Sequence, residues 1–464
     1  MSSQAPTTQH AEFIIQSTGS PEYFTLKPKH PVPLLPPLFF AWGNPEVLDS
    51  PRAAVLNSRK PRQPRPEDQW VRVTTAMAER VVKDGRTLVA SLGANHWDLP
   101  AYVATSRGGR LLAVCDDVLP VMRPEDKRDE FFRRYGGLLP PERTLILSPF
   151  SPGRPPGRIE RRQRRDEAVV GLADMILAVE LRAEGNMARL IDGALKRGAP
   201  VFVFRPERFD GPTGGNKTLL EQGARPWIGP LPARETQPAP HLAGPVSSGG
   251  KAPRIRTNLD HRDWLLHFTR RCPGPWPGQN LCDYYESLAR GDENAGHTAF
   301  DTLGRILGER RLRASGRLIR GGHPSVSFTA RDLSEVNDLL YWRAALARWN
   351  VEPYGLALDR RRLFALGARP VIYGDEGVWG RLPEGERHRF QLHRPPGTAW
   401  KGEREWRLPG DLDLGLLGPG GCLIIAPTLS EAEELGERHG LEAVRAGGFA
   451  LRQGKKPPAP GTGK

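Results

Sequence analysis

The chain has 464 residues, 67 Lys and Arg against 53 Asp and Glu, and a net charge of +14. That length predicts two or three domains, and a composition of 38% hydrophobic and 26% charged residues suits a globular protein with long Gly- and Pro-rich connectors. The four cysteines exclude a disulfide framework, and the even spread of positive charge means that any nucleic-acid argument needs a local basic cluster.

Residues 1–36 are polar and Pro-rich and are expected to form a flexible arm. From Ala53 onward, short apolar runs alternate with helical patterns. The runs are AAVLN (53–57), TLVASL (87–92), RLLAVC (110–115), RTLILS (143–148), DMILAVE (174–180) and APVFVF (199–204). Amphipathic stretches near 67–83, 124–135, 158–172 and 186–197 separate them. Near-continuous apolar strands alternating with helices predict an α/β domain, 37–230, with a Rossmann-like parallel sheet covered on both faces. The Pro/Gly/Ser-rich stretch 231–257 reads as a linker, 258–430 as a separate α+β domain, and 431–464 as an extension and tail. In the second domain, helices are expected near 299–311 and 332–348, and strands at 325–329, 354–359, 369–374 and 422–427. No signal-peptide pattern is present, and the apolar stretch 168–179 is short and interrupted by Asp174, so a cytoplasmic protein without membrane contact is expected.

Ligands of a wound parallel sheet bind at the carboxyl ends of its strands, where loops and helix N-termini offer free N–H groups. After the first strand, Ser58 and Arg59 suit a phosphate, or form an ordinary turn. After the second, Gly93 permits close approach of backbone, and Asp98 either orients a ribose or caps a helix. His96 reads as a surface residue rather than a base. In the run 153–165, Arg154, Arg158, Arg161, Arg162, Arg164 and Arg165 lie on the expected ligand rim; such a cluster contacts phosphates or is merely solvated. Gly185, Gly215 and Lys217 stand at further helix starts and fit an anion site.

Taken in order, AAVLNSR, LVASLGANHWD, GGRLLAV, SPGRPPG…RRDEAVVGLADMILAVE and VFVF…GGNKTLLEQGA resemble the successive blocks of the DprA/Smf DNA-processing family over about residues 37–230. The resemblance implies a domain binding single-stranded DNA or a nucleotide-derived ligand, with a recombinase as a further candidate partner. The sequence departs from the family pattern at Asn57, at His96-Trp97 before Asp98, and at Asp166-Glu167 after Arg165. Added acid beside Arg165 weakens the case for ordinary single-strand binding and leaves room for a small nucleotide.

In the second domain, pieces around His267, Tyr373 and the segment Trp400–Arg407 faintly resemble DarT-like ADP-ribosyltransferases, and an uncharacterised family with a W-x-x-E-x-E-W-R ending. That resemblance implies NAD as a cofactor of this domain, with His267 holding its ribose, Glu403 or Glu405 as the catalytic carboxylate and Tyr373 as a further catalytic candidate, in a sensor–effector defence protein. The alternation E-R-E-W-R equally describes a half-exposed strand laced by charge pairs. Cys272 and Cys282 with His261 and His267 lack zinc-site spacing, so no metal is expected. The oligomeric state is not readable from the sequence.

Overall fold

The computed structural model describes residues 12–18, 20, 22–60, 63–151, 156–231, 254–256, 259, 263–292, 295–343, 348–393 and 402–446. The expected linker lies mostly outside them. The chain divides into two units: the first holds Met1–Ala239 and Pro273–Gly296, the second Pro240–Cys272 and His297–Lys464.

The first unit is built on the expected strands: β4 (Arg52–Leu56), β5 (Thr87–Ser91), β6 (Arg110–Val114), β7 (Thr144–Ser148), β8 (Met175–Ala178) and β9 (Val201–Phe204). Every residue of β4, β5 and β7 is buried, which is why they read as apolar runs rather than alternating ones. With β10 (Arg225–Trp227), the parallel strands take the order β7-β6-β5-β4-β8-β9-β10. The connections run outward on both sides of β4, so the sheet has its topological switch point between β4 and β8.

Residues 12–36 are not the expected arm. They supply β1 (Phe13–Ser17) and β2 (Phe24–Pro28), which with β3 (Phe39–Gly43) extend the sheet antiparallel beyond β7. As an edge strand, β1 leaves four of its five residues exposed, so it carries no strong apolar period.

Helices α1 (Gln69–Lys83) and α2 (Asn95–Ser106) pack together, as do α4 (Arg158–Leu172), α5 (Asn186–Lys196) and α6 (Gly214–Glu221) in succession; α3 (Glu125–Tyr135) lies between β6 and β7 in the chain. A further helix, α7 (Leu281–Arg290), belongs to this unit, although its sequence lies inside the expected second domain. Its stripe Leu281, Tyr284, Tyr285 and Leu288, at helical i, i+3, i+4 and i+7 spacing, is buried against α1 and α2.

The second unit is a sheet-and-helix domain. Its eight-stranded mixed sheet runs Ile255–Arg256, Ala443–Arg445, Cys422–Ala426, Gly355–Asp359, Trp264–Phe268, Ser325–Thr329, Glu405–Pro409 and Arg369–Pro370. Helices Ala299–Glu309 and Leu429–His439 cover one face through Leu303, Leu307, Ala432 and Leu435. Leu429–His439 and Ala443–Arg445 bring the expected C-terminal extension into this fold. The helix expected over 332–348 stops after a 3₁₀ turn, Leu333–Leu339, and two short strands, Trp342–Arg343 and Arg348–Trp349, follow. Asn337 in that turn is of a residue type that disfavours helix interiors.

Candidate nucleic-acid interface

The switch point is stitched by hydrogen bonds between the two loops that leave it. The Ser58 amide donates to Glu180 O at 2.9 Å, and Ser58 Oγ accepts from the Arg182 amide at 2.9 Å. The Arg182 guanidinium donates to Arg59 O at 3.0 Å, leaving the Arg59 side chain exposed on the rim. Lys60 and Glu180 form a largely buried ion pair beneath it. Gly185 caps α5 with no side-chain partner, and a Cβ added there would meet Ser58 Oγ at 3.7 Å. Ser58, Arg59, Gly185 and the start of α5 therefore come together.

Gly215 and Lys217 do not join them. The Gly215 amide donates to Leu181 O at 2.7 Å, and a Cβ there would sit 2.8 Å from the carbonyl oxygens of Leu181 and Arg182. Buried Asn216 donates to Val179 O at 2.7 Å and Phe204 O at 2.8 Å, and accepts from the Leu181 amide at 2.8 Å. This turn is scaffold, with its polar groups already used. Lys217 is exposed and faces Glu221 at 3.8 Å.

On the β5 side, Gly93 takes a φ of +97°, which an L side chain rarely adopts, and donates its amide to Asp98 Oδ1 at 2.7 Å. Asp98 is buried and also meets the Tyr285 hydroxyl at 3.2 Å; burial pushes its carboxyl up to about 7. It orders the loop rather than facing a ligand. His96 is not the expected surface residue. It is buried, and burial together with Arg165, Lys60 and Arg59 pushes it down to about 3, so it is neutral at pH 7.

On α4, Arg158, Arg162 and Arg165 are spaced i, i+4 and i+7 and share one face. Burial, then Arg158, Arg59 and Arg165, lower the Arg162 guanidinium below its ordinary value, which places four cations in one another's field. Arg165 is buried beside Asp166 at 2.8 Å and covers the Trp97 ring. Arg161 pairs with Asp117 at 2.9 Å and Arg164 with Glu160 at 2.6 Å, so the basic run splits into a rim-facing set and a set with its own acids. Among the described residues, Arg59, Arg158 and Arg162 make no ion pair. The helices starting at Asn95, Arg158 and Asn186 have no side-chain cap, so their first amides add partial positive charge. Sequence reasoning missed Lys60, Trp97, Arg182 and Tyr285; Lys60 adjoins Arg59, and Tyr285 sits in an apolar stripe at 281, 284, 285 and 288 that marks a helix but not its partner.

In the second unit, Tyr373, Glu403 and Glu405 gather. Glu403 accepts from Arg343 at 3.0 Å, and Glu405 from Ser327 Oγ at 2.8 Å and Arg407 Nε at 2.9 Å. Burial and these two carboxylates push Tyr373 up to about 12. His267 does not join them. It pairs with Leu356, whereas Leu266 pairs with Thr329 and Thr329 with Glu405. Side chains alternate along a strand, so His267 and Glu405 point to opposite sheet faces. The His267 ring packs on Phe328, and Nδ1 lies 2.9 Å from Ser327 O. The expected NAD pocket of His267 with these carboxylates is not assembled. Arg154, Trp400 and His261 lie outside the described residues, and Cys272 and Cys282 belong to different units.

No described helix is long and apolar enough to cross a membrane. DNA processing protein DprA of Streptococcus pneumoniae is 25% identical over 193 residues, which are 41% of this chain and 63% of that protein, so the chain spans less than two thirds of this relative's length. The solved structure of S. pneumoniae DprA aligns with a TM-score of 0.34 and 22% identity, over 42% of this chain and 64% of that one. DNA processing protein A from Helicobacter pylori, described with its single-stranded DNA binding mode, gives 0.33 and 22%, over 44% and 90%. The Moco carrier protein of Chlamydomonas rheinhardtii gives 0.23 and 14%, over 39% and 90%. Residues 17–230 match the family described as DNA recombination-mediator protein A. Over that span the chain is similar to the DprA/Smf family.

Proposed function

We propose that the first unit binds single-stranded DNA along the rim formed by Ser58, Arg59, Arg158, Arg162, Arg165 and Gly185. The observation that carries this reading is the guanidinium cluster centred on Arg162, in which Arg59, Arg158 and Arg162 make no ion pair among the described residues and Arg165 is held by Asp166. A polyanion relieves that repulsion, and uncapped helix starts supply further donors for phosphate oxygens. From Arg158 to Arg165 the row runs ~10 Å along α4, longer than one phosphate group, which favours a strand over a mononucleotide.

Fluorescence anisotropy with a labelled 20-nucleotide oligo-dT across a salt series tests this. With three or four phosphates neutralised, log K falls against log salt with a slope of about −2 to −3. A chain that shows no salt-sensitive oligonucleotide binding, yet binds ATP or a cyclic dinucleotide at the same rim, overturns the strand reading in favour of a nucleotide ligand.

A further inference from the structure

The loop that ends at Asp98 is completed by a residue encoded almost two hundred positions later. The Tyr285 hydroxyl lies 3.0 Å from Asn95 Oδ1 and 3.2 Å from Asp98 Oδ2, and Asp98 Oδ1 takes the Gly93 amide. Asn95 and Asp98 are in the first turn of α2, whose His96 lies in the field of Arg59 and Arg165 and whose Trp97 carries Arg165 on its ring. Tyr285 is 2% exposed and lies between Tyr102, at a centroid distance of 6.3 Å, and Tyr284, at 5.0 Å. The groups facing Asp98 are Tyr285 of α7 together with Tyr135 and Arg134 of α3. One phenolic proton cannot serve two acceptors. When Asp98 is protonated, its Oδ2–H donates to Tyr285 Oη and the phenol donates to Asn95 Oδ1, so every group is satisfied.

We infer that Tyr285 is a positioning residue of the ligand rim: α7, inserted from within the sequence of the second unit, sets the Gly93–Asp98 turn and hence the α2 N-terminus for phosphate. This rests on the anion-binding reading of the rim. Because α7 docks on the same helix whose start meets the ligand, ligand binding and α7 docking strengthen each other reciprocally. A second contact of α7 lies at the far end of α2, where Tyr102 Oη donates to Glu286 Oε2 at 2.6 Å, and it serves as the control.

The test compares the full-length wild type, Tyr285→Phe and Tyr102→Phe, using labelled oligo-dT anisotropy and hydrogen exchange at the Gly93 amide and over residues 281–290. Tyr285→Phe weakens binding by roughly tenfold, about the net worth of one hydrogen bond. It also speeds exchange at Gly93, while Tyr102→Phe leaves both unchanged. Oligo-dT slows exchange in 281–290 of the wild type. Equal affinity of Tyr285→Phe and wild type overturns the positioning role alone, as does an equal loss in both variants, which marks general loosening of α7. A wild type that binds neither oligo-dT nor any phosphate ligand overturns the reading of the rim, and this role with it.

Discussion

The Arg165 guanidinium carbon lies 5.2 Å from the centroid of the Trp97 ring. This contact joins α4 to α2 across the carboxyl edge of the sheet, and Asp166 holds the guanidinium from the side at 2.8 Å. Arg165→Ala removes a cation–π contact, leaves half-buried Asp166 without its guanidinium, and uncovers an indole that is 1% exposed. Denaturant unfolding is expected to show a loss of about 2–4 kcal/mol, with oligonucleotide binding lost as well.

Arg162 behaves in the opposite way. It sits among like charges, so Arg162→Ala relieves repulsion and leaves the melting temperature unchanged or higher while weakening oligo-dT binding. Its salt slope becomes shallower by about 0.7, one phosphate contact on a single strand. Arg164→Ala, which removes only an exposed residue paired with Glu160, changes neither quantity.

Two neighbouring residues of α2 tie stability to pH with opposite signs. His96, pushed down to about 3 in the fold from an ordinary 6.5, binds fewer protons folded than unfolded between these values, so it makes stability rise with pH across that window. Asp98, pushed up to about 7 from an ordinary 3.8, binds more protons folded than unfolded, so it makes stability fall with pH between 3.8 and 7. Each contributes a slope of at most about 1.4 kcal/mol per pH unit, and in the wild type they largely offset between pH 4 and 6.5. Asp98→Asn leaves the His96 contribution unopposed, so its stability climbs more steeply from pH 4 to 6.5 than that of the wild type. Urea midpoints measured at pH 4, 5, 6 and 7 check this; parallel curves refute it.

In the second unit, Arg407 is 3% exposed and is held by Glu405 through Nε at 2.9 Å. Glu405→Ala takes the carboxylate from that buried guanidinium, leaving it the neutral acceptors His388 O, Phe390 O and Gln391 Oε1, and costs about 3 kcal/mol. A catalytic-only carboxylate would instead be replaced without loss of stability, so thermal unfolding of the variant separates the two roles.

The parallel sheet was legible because its strands are buried on both faces and read as uninterrupted apolar runs. Helix α2 was not, since ten of its twelve residues are buried and no polar stripe alternates with the apolar one. The arginines of α4 were visible as a run, but which of them carry an acid follows from the placement of Asp117, Glu160 and Asp166. Gly215 and Asn216 have the composition of an anion loop, yet tertiary contacts consume their donors. Tyr285 lies in an apolar stripe of helical period, but that period does not say which helix, 187 positions away, it meets.

The path of the chain through α7 bears on any attempt to divide the protein. The backbone leaves the first unit after Ala239, re-enters it for Pro273–Gly296, and departs again. A fragment trimmed to the span matched by its relatives would thus lose a helix from its own interior packing and bare the aromatic and aliphatic flank of α2. Expressed alone, such a fragment is expected to aggregate, and adding a peptide of residues 273–296 in trans should restore its solubility.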